Sequence, residues 1–167
     1  MKILGVDQSL TSTGICVMYE EFLVVEHFGL IRTDKTYGDD FERVHIISHE
    51  ILQFCNSFEI DLLRLEGLSY GSKGDATRKL GGLQFCIVNY VRNYNYNLHK
   101  EVEIEIIPPT SLKRFATGKG TANKEEMFDA LPDEQKNEFL RFPKTKGRYD
   151  LTDAFWLCLY KEGGSMK

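Results

Sequence analysis

The chain has 167 residues, 42% of them apolar, and a formal net charge of −4. That length suits a single domain, residues 1–167, with a proper core. It holds no run of about 18 apolar residues such as a membrane span needs, and its N-terminus reads as a strand rather than a secretory leader. The charge excludes a general nucleic-acid coat, but it is uneven: residues 1–66 carry 5 basic and 12 acidic side chains, whereas residues 67–149 carry 14 and 10. Cys16, Cys55, Cys86 and Cys158 lie inside apolar segments with no CxxC pair. They read as buried free thiols of a reducing, cytoplasmic compartment.

In chain order, residues 2–7 form a buried-strand pattern, followed by a hydroxyl-rich turn (Gln8–Thr13). Gly14–Tyr19 and Phe22–Arg32 are β-branched and aromatic, and predict two further strands. Asp39 or Asp40 caps a helix to about Phe58, with Phe41, Val44, Ile47, Ile51 and Phe54 on one face. Ile60–Glu66 is a fourth strand. Gly67–Gly74 is a loop, and a long helix runs from Asp75 to about Asn97. Val102–Ile107 is the fifth strand, ended by Pro108–Pro109. Thr110 and Asn123 cap two short helices, residues 132–148 read as polar and irregular, and Arg148–Lys161 is the last helix. Phe85, Phe155 and Trp156 are expected in the core.

The order βββαβαβα implies a mixed five-stranded sheet with helices on both faces, an α/β fold. Right-handed crossovers set the first and fourth strands side by side. Asp7 and Glu66 then meet at the C-terminal edge of the sheet, where open α/β sheets place their ligands. Asp150 and Asp153, three residues apart, share one face of the last helix. Such an all-oxygen, negative cluster suits hard divalent cations, Mg²⁺ or Mn²⁺. Residues 110–124 hold Lys113, Arg114, Lys119 and Lys124 and no acid. Acids beside a basic strip fit a phosphodiester substrate.

The motifs ILGVDQSLTSTG, LLRLEG, DATRKLGGLQF, KRFATGKGTANKEEM and DLTDAF, in this order, resemble those of the RuvC family of Holliday-junction resolvases, within the RNase H-like superfamily. The tract FATGKGTANK is most similar to phage and viral members, which would place the enzyme in a bacterial host's cytoplasm. The acidic pI and residues 132–148 depart from the bacterial pattern. The resemblance implies a metal-dependent endodeoxyribonuclease that leaves 5′-phosphates on four-way junctions, and in a looser form on forks and flaps. Asp7, Glu66, Asp150 and Asp153 would hold two ions, with Asp7 shared between them. Lys124 would stabilise the reacting phosphate, and Lys113, Arg114 and Lys119 would hold its neighbours. Leu68 or Tyr70 would wedge against bases at the crossover, and Arg78 and Lys79 would touch the DNA backbone. A two-fold-symmetric substrate implies a homodimer, with the long helix and its Gly81–Gly82 pair at the interface. The competing expectations are an RNase H-like enzyme acting on RNA–DNA hybrids and a phosphate-binding module of actin-like ATPase type.

Overall fold

The computed structural model describes residues 1–69, 74–98 and 101–164. Its centre is a five-stranded sheet of β1 (Lys2–Asp7), β2 (Ser12–Tyr19), β3 (Val24–Arg32), β4 (Leu62–Glu66) and β5 (Glu103–Ile107), in the order β3-β2-β1-β4-β5. β1 pairs antiparallel with β2 and parallel with β4, and β4 pairs parallel with β5. The predicted adjacency of the first and fourth strands therefore holds, as does the mixed sheet. β3 starts two residues later than its apolar run, because Leu23 takes a left-handed φ of 51° in the reversal.

β1 and β4 are buried on both faces, which is why they read as continuous apolar runs rather than alternating ones. On one face, Leu4, Val6, Leu63 and Leu65 pack against Ile47 and Ile51 of α1 (Asp40–Ser57) and against Leu83, Ile87 and Val91 of α2 (Asp75–Leu98). On the other, Ile3 and Leu62 pack with Leu151, Ala154 and Phe155 of α6 (Tyr149–Leu159). That second layer also contains α3 (Pro109–Thr117), α4 (Lys124–Asp129) and α5 (Asp133–Phe139). Among the described residues, no helix is long and apolar enough to cross a membrane.

Four expectations need correction. Phe85 is 79% exposed rather than in the core. At 100° per residue, Phe85 lies two residues and about 200° from Leu83 and also two from Ile87, so it points away from the Leu83–Ile87–Val91 stripe. Phe41 lies on the predicted stripe of α1, but in the first turn it is Arg43 that turns inward, onto Thr33 and the Leu10 carbonyl, and Phe41 is 84% exposed. Thr110 does not cap α3: Pro109 occupies the first helical position after Pro108, where its missing N–H costs nothing. Residues 132–148 are not irregular throughout. They form α5 and then a kinked turn, Lys144–Arg148. Two aromatics hidden in that polar run anchor it: Phe139 is fully buried, and Phe139 and Phe142 meet Phe28 edge-on.

Candidate active site

Asp7 ends β1 and Glu66 ends β4. The parallel register of β1 and β4 (Val6 against Leu65) brings the two carboxyls close enough to feel each other's charge at one edge of the sheet. α6 crosses that edge. Its backbone lies almost against the sheet because Gly5 and Gly14 present no Cβ. A methyl on Gly14 would sit 2.2 Å from the Asp150 carbonyl oxygen, and one on Gly5 would sit 2.2 Å from that of Ala154. The far end of the helix is held by Arg64 of β4, which donates to the carbonyls of Leu157 and Cys158 at 3.3 and 3.0 Å. A cation at a helix C-terminus complements its dipole. Arg64 also pairs with Glu105 at 2.7 Å, so Arg64 is engaged away from Glu66.

This scaffold brings Asp153 to Asp7 and Glu66. Asp153 is buried, and burial first, then the charge of Glu66, push its pKa to about 7. Burial, then Asp153 and Glu66, push Asp7 well above the usual carboxylate range. Glu66 is also raised by burial, but less, because Lys124 and Lys113 oppose the shift. Asp150 is half-buried and is held by Ser12, whose hydroxyl donates to it at 2.6 Å.

Lys124 Nζ lies 3.9 Å from Asp153. Its place is set by the capping box Asn123–Glu126 and by Trp156 of α6, whose indole N–H donates to the Met127 carbonyl at 3.0 Å. A lysine at the first position of a helix opposes the dipole. Here the four acids outweigh both that and its desolvation, and raise its pKa.

The four carboxylates and Lys124 thus form one electrostatic unit, with Lys113 at its border. Its donors are all oxygens on a negative, largely dry floor, which is the chemistry hard cations need. Among the described residues, no three acids are already drawn into one closed cage. Ser12 holds Asp150, and Lys124 pairs with Asp153.

The raised pKa values carry a stability consequence. A carboxyl whose folded pKa is about 7 stabilises the fold fully below its unfolded value near 3.8, and loses that contribution as pH rises through 7. In EDTA, thermal unfolding should therefore show stability falling between about pH 4 and pH 7, by at most about 4 kcal/mol for this group. Asp153→Asn should flatten that slope and raise the melting temperature above pH 7. Equal slopes in the two proteins would mean that Asp153 titrates normally.

The other predicted contacts divide. Lys119 and Arg114 are exposed, and Lys119 pairs with Glu126 at 3.2 Å. Lys79 bridges Asp40 and Asp75 at 2.8 and 2.7 Å, tying α1 to α2, and Arg78 pairs with Asp75. Leu68 is half-buried beside Gly81. Tyr70 lies outside the described residues.

Three residues at the site fall outside the sequence expectations. Ser12 is one. The others are Gln8 and Gln84, whose side-chain amides donate to the Glu66 carbonyl oxygen at 2.6 and 2.9 Å and so pin the end of β4. Gln8 directly follows Asp7, and that adjacency is the one local signal for it. Gln84 is visible only in three dimensions, because α2 must first fold over β4.

No family model matches the chain. Curated relatives do. The crossover junction endodeoxyribonuclease RuvC of Pelodictyon phaeoclathratiforme is 27% identical over 99% of this chain and 82% of its own length. That of Ehrlichia ruminantium (strain Welgevonden) is 26% identical over 95% of this chain and 94% of its own. Among solved structures, Thermus thermophilus RuvC superposes with a TM-score of 0.68 at 18% identity, covering 95% of this chain and 92% of that one. The yeast mitochondrial Holliday junction resolvase Ydc2 gives 0.69 at 16%, covering 93% and 75%. The relatives of this chain are thus RuvC crossover junction endodeoxyribonucleases across nearly all its length, and its fold is the RNase H-like fold of the RuvC-type resolvases.

Proposed function

We propose that this chain is a Holliday junction resolvase, a structure-specific endonuclease that hydrolyses phosphodiesters in four-way and branched DNA in the cytoplasm. The observation that carries the reading is the carboxylate set Asp7, Glu66, Asp150 and Asp153, gathered at one sheet edge beside Lys124. Like-named relatives match the chain end to end, and T. thermophilus RuvC of the same fold has been captured with a Holliday junction substrate.

The four acids would hold two divalent cations, Mg²⁺ with Mn²⁺ as a substitute. When bound, these supply an activated water and neutralise charge at the phosphate. The chain's own residues do the rest. Gln8, Gln84 and Ser12 hold the acid-bearing backbone and Asp150 in place, so little reorganisation accompanies the reaction. Lys124 places a fixed positive charge where the pentacovalent phosphate becomes more negative, and Lys113 offers a second for its neighbour. Cleavage breaks the bond from phosphorus to the 3′ oxygen and leaves a 5′-phosphate and a 3′-hydroxyl.

The decisive test is incubation with a synthetic four-way junction, an RNA–DNA hybrid and a linear duplex. Symmetric nicks in the junction with Mg²⁺, and none in EDTA, are expected. Preferential cutting of the hybrid would move the enzyme to the ribonuclease branch of the fold.

Two symmetric nicks require two sites, and we infer a homodimer formed through α2. Its outward side presents Phe85, 79% exposed, next to Gly82, which has nothing within 4 Å of where a Cβ would be. A large apolar ring beside a glycine suits close helix approach. Phe85→Glu should convert a dimer to a monomer in light scattering. On a cruciform plasmid it should leave open circles where the parent protein gives linear product. A variant that remains dimeric would place the interface elsewhere.

A further inference from the structure

A second groove adjoins the carboxylate cluster on the side of Asp150. Its walls are Thr11 and Ser12 from the β1–β2 turn, Arg32, Thr33 and Tyr37 from the end of β3 and the turn after it, and Thr145 and Lys146 from the Lys144–Arg148 turn. Its volume is about 540 Å³, enough for a nucleotide-sized group. Ser12 belongs both to this groove and to the site, since its hydroxyl donates to Asp150.

The Lys144–Arg148 turn is built as a platform. Arg148 donates to the carbonyls of Phe142 and Leu140 at 3.1 and 3.2 Å. Lys144 pairs with Glu125 at 2.6 Å. Gly147 has a left-handed φ of 123° and lies against Leu30, where a Cβ would come within 2.3 Å of the side chain. Arg32 donates to the Lys146 carbonyl at 2.9 Å. These contacts fix the backbone and leave Lys146 pointing its charge at no acid.

Neither Arg32 nor Lys146 is in an ion pair among the described residues. The one acid of the groove, Asp34, is occupied: it accepts from the Thr36 N–H and hydroxyl at 2.8 and 2.6 Å. With the ionised Asp34 as its one anion, the groove keeps a net positive charge from two cations that make no ion pair, together with the exposed hydroxyls of Thr11 and Thr145 and a half-exposed tyrosine ring. Cations and hydroxyls contact phosphate oxygens, and an aromatic ring stacks on a base.

We propose that this groove binds the sugar–phosphate backbone of a DNA strand continuing from the scissile phosphate, with Arg32 and Lys146 on phosphates and Tyr37 stacked on a base. It gives the 132–148 segment a role: α5, with Phe139 at its end and Phe142 just after it, holds the platform that carries half the groove. The strand would then be gripped on both flanks of the acids, by Lys113 and Lys124 on one side and by this groove on the other. The proposal rests on the branched-DNA reading above.

The test is a fluorescence-anisotropy titration of a labelled four-way junction in EDTA over a range of salt, with Mg²⁺-dependent cleavage by the parent protein measured in parallel. Lys146→Glu and the double variant Arg32→Ala/Lys146→Ala should each bind about tenfold more weakly or worse. The double variant should lower the slope of log K against log salt by about 2, one for each lost phosphate contact. Tyr37→Ala should weaken binding about fivefold with no change in slope, and Tyr37→Phe should restore it. Because Lys146 is exposed and its carbonyl survives substitution, Lys146→Glu should melt as the parent does. A parent protein that cuts the junction, together with variants of unchanged affinity and slope, would overturn the groove alone. A parent protein that neither binds nor cuts would overturn the underlying function, and the groove with it.

Discussion

Asp7→Asn should abolish junction cleavage, lowering the rate by about 10³-fold or more, while junction binding is kept or tightened. Asp7 is central because it feels the charges of Asp153, Glu66, Lys124 and Asp150 together. Asparagine keeps the shape but withdraws the charge that a shared cation needs. It also removes a negative charge facing the DNA phosphate, which is why affinity should not fall. The native acid is buried and its ionised form is disfavoured there, so the variant should melt no lower than the parent in EDTA. Single-turnover cleavage, junction binding and thermal unfolding on the same preparation separate these effects. Parental cleavage with Mg²⁺ would show that the reaction centre lies elsewhere.

Gly14→Ala should be among the most damaging small substitutions at the described residues. The added methyl would stand 2.2 Å from the Asp150 carbonyl oxygen and 2.4 Å from its carbonyl carbon. Both are backbone atoms of the helix that carries two of the four acids, so no rotamer change can relieve the clash. Either α6 lifts from β2 or the strand bends away. Overpacking of a core commonly costs about 1–3 kcal/mol, and a clash with backbone belongs at or above the top of that range. A displacement of about 1 Å at reacting groups can cost about 10²-fold in rate. The expected result is a melting temperature lowered by about 10 °C or more, for a domain in which about 1 kcal/mol moves it by 2–8 °C, and cleavage lost in the fraction that remains folded. A variant with the parental melting temperature and rate would show that α6 is not held against the sheet at this point.

The outline of this protein is legible in its sequence wherever a local rule and a tertiary requirement coincide. Continuous apolar runs at residues 2–7 and 62–66 mark strands buried on both faces, and a carboxylate ending each run has no cheap place except a shared polar edge. The spacing of Asp150 and Asp153 is a property of any α-helix. The lysine at position 124 follows a cap that reads directly as Asn–x–x–Glu. Local pattern together with the right-handed crossover rule therefore carries the adjacency of β1 and β4 and the acids they deliver to one edge.

Other features depend on what faces what. Phe85 escapes the pattern because periodicity identifies a stripe but not its limits, and α2 buries only the stripe through Leu83, Ile87 and Val91. Residues 132–148 look irregular because one buried phenylalanine, Phe139, and one half-buried one, Phe142, do not make a helical period, although they suffice to anchor this stretch. Gln84 and Ser12 are ordinary polar residues in sequence. They gain meaning only when α2 and the β1–β2 turn arrive beside Glu66 and Asp150, since a hydrogen bond between residues 18 or 138 positions apart leaves no local trace. Strand burial and helical spacing are enough to dictate which acids gather at the sheet edge. Which neutral groups hold them there, and which cations stand on their flanks, is settled by long-range packing, because those partners come from elements that meet only in the folded chain.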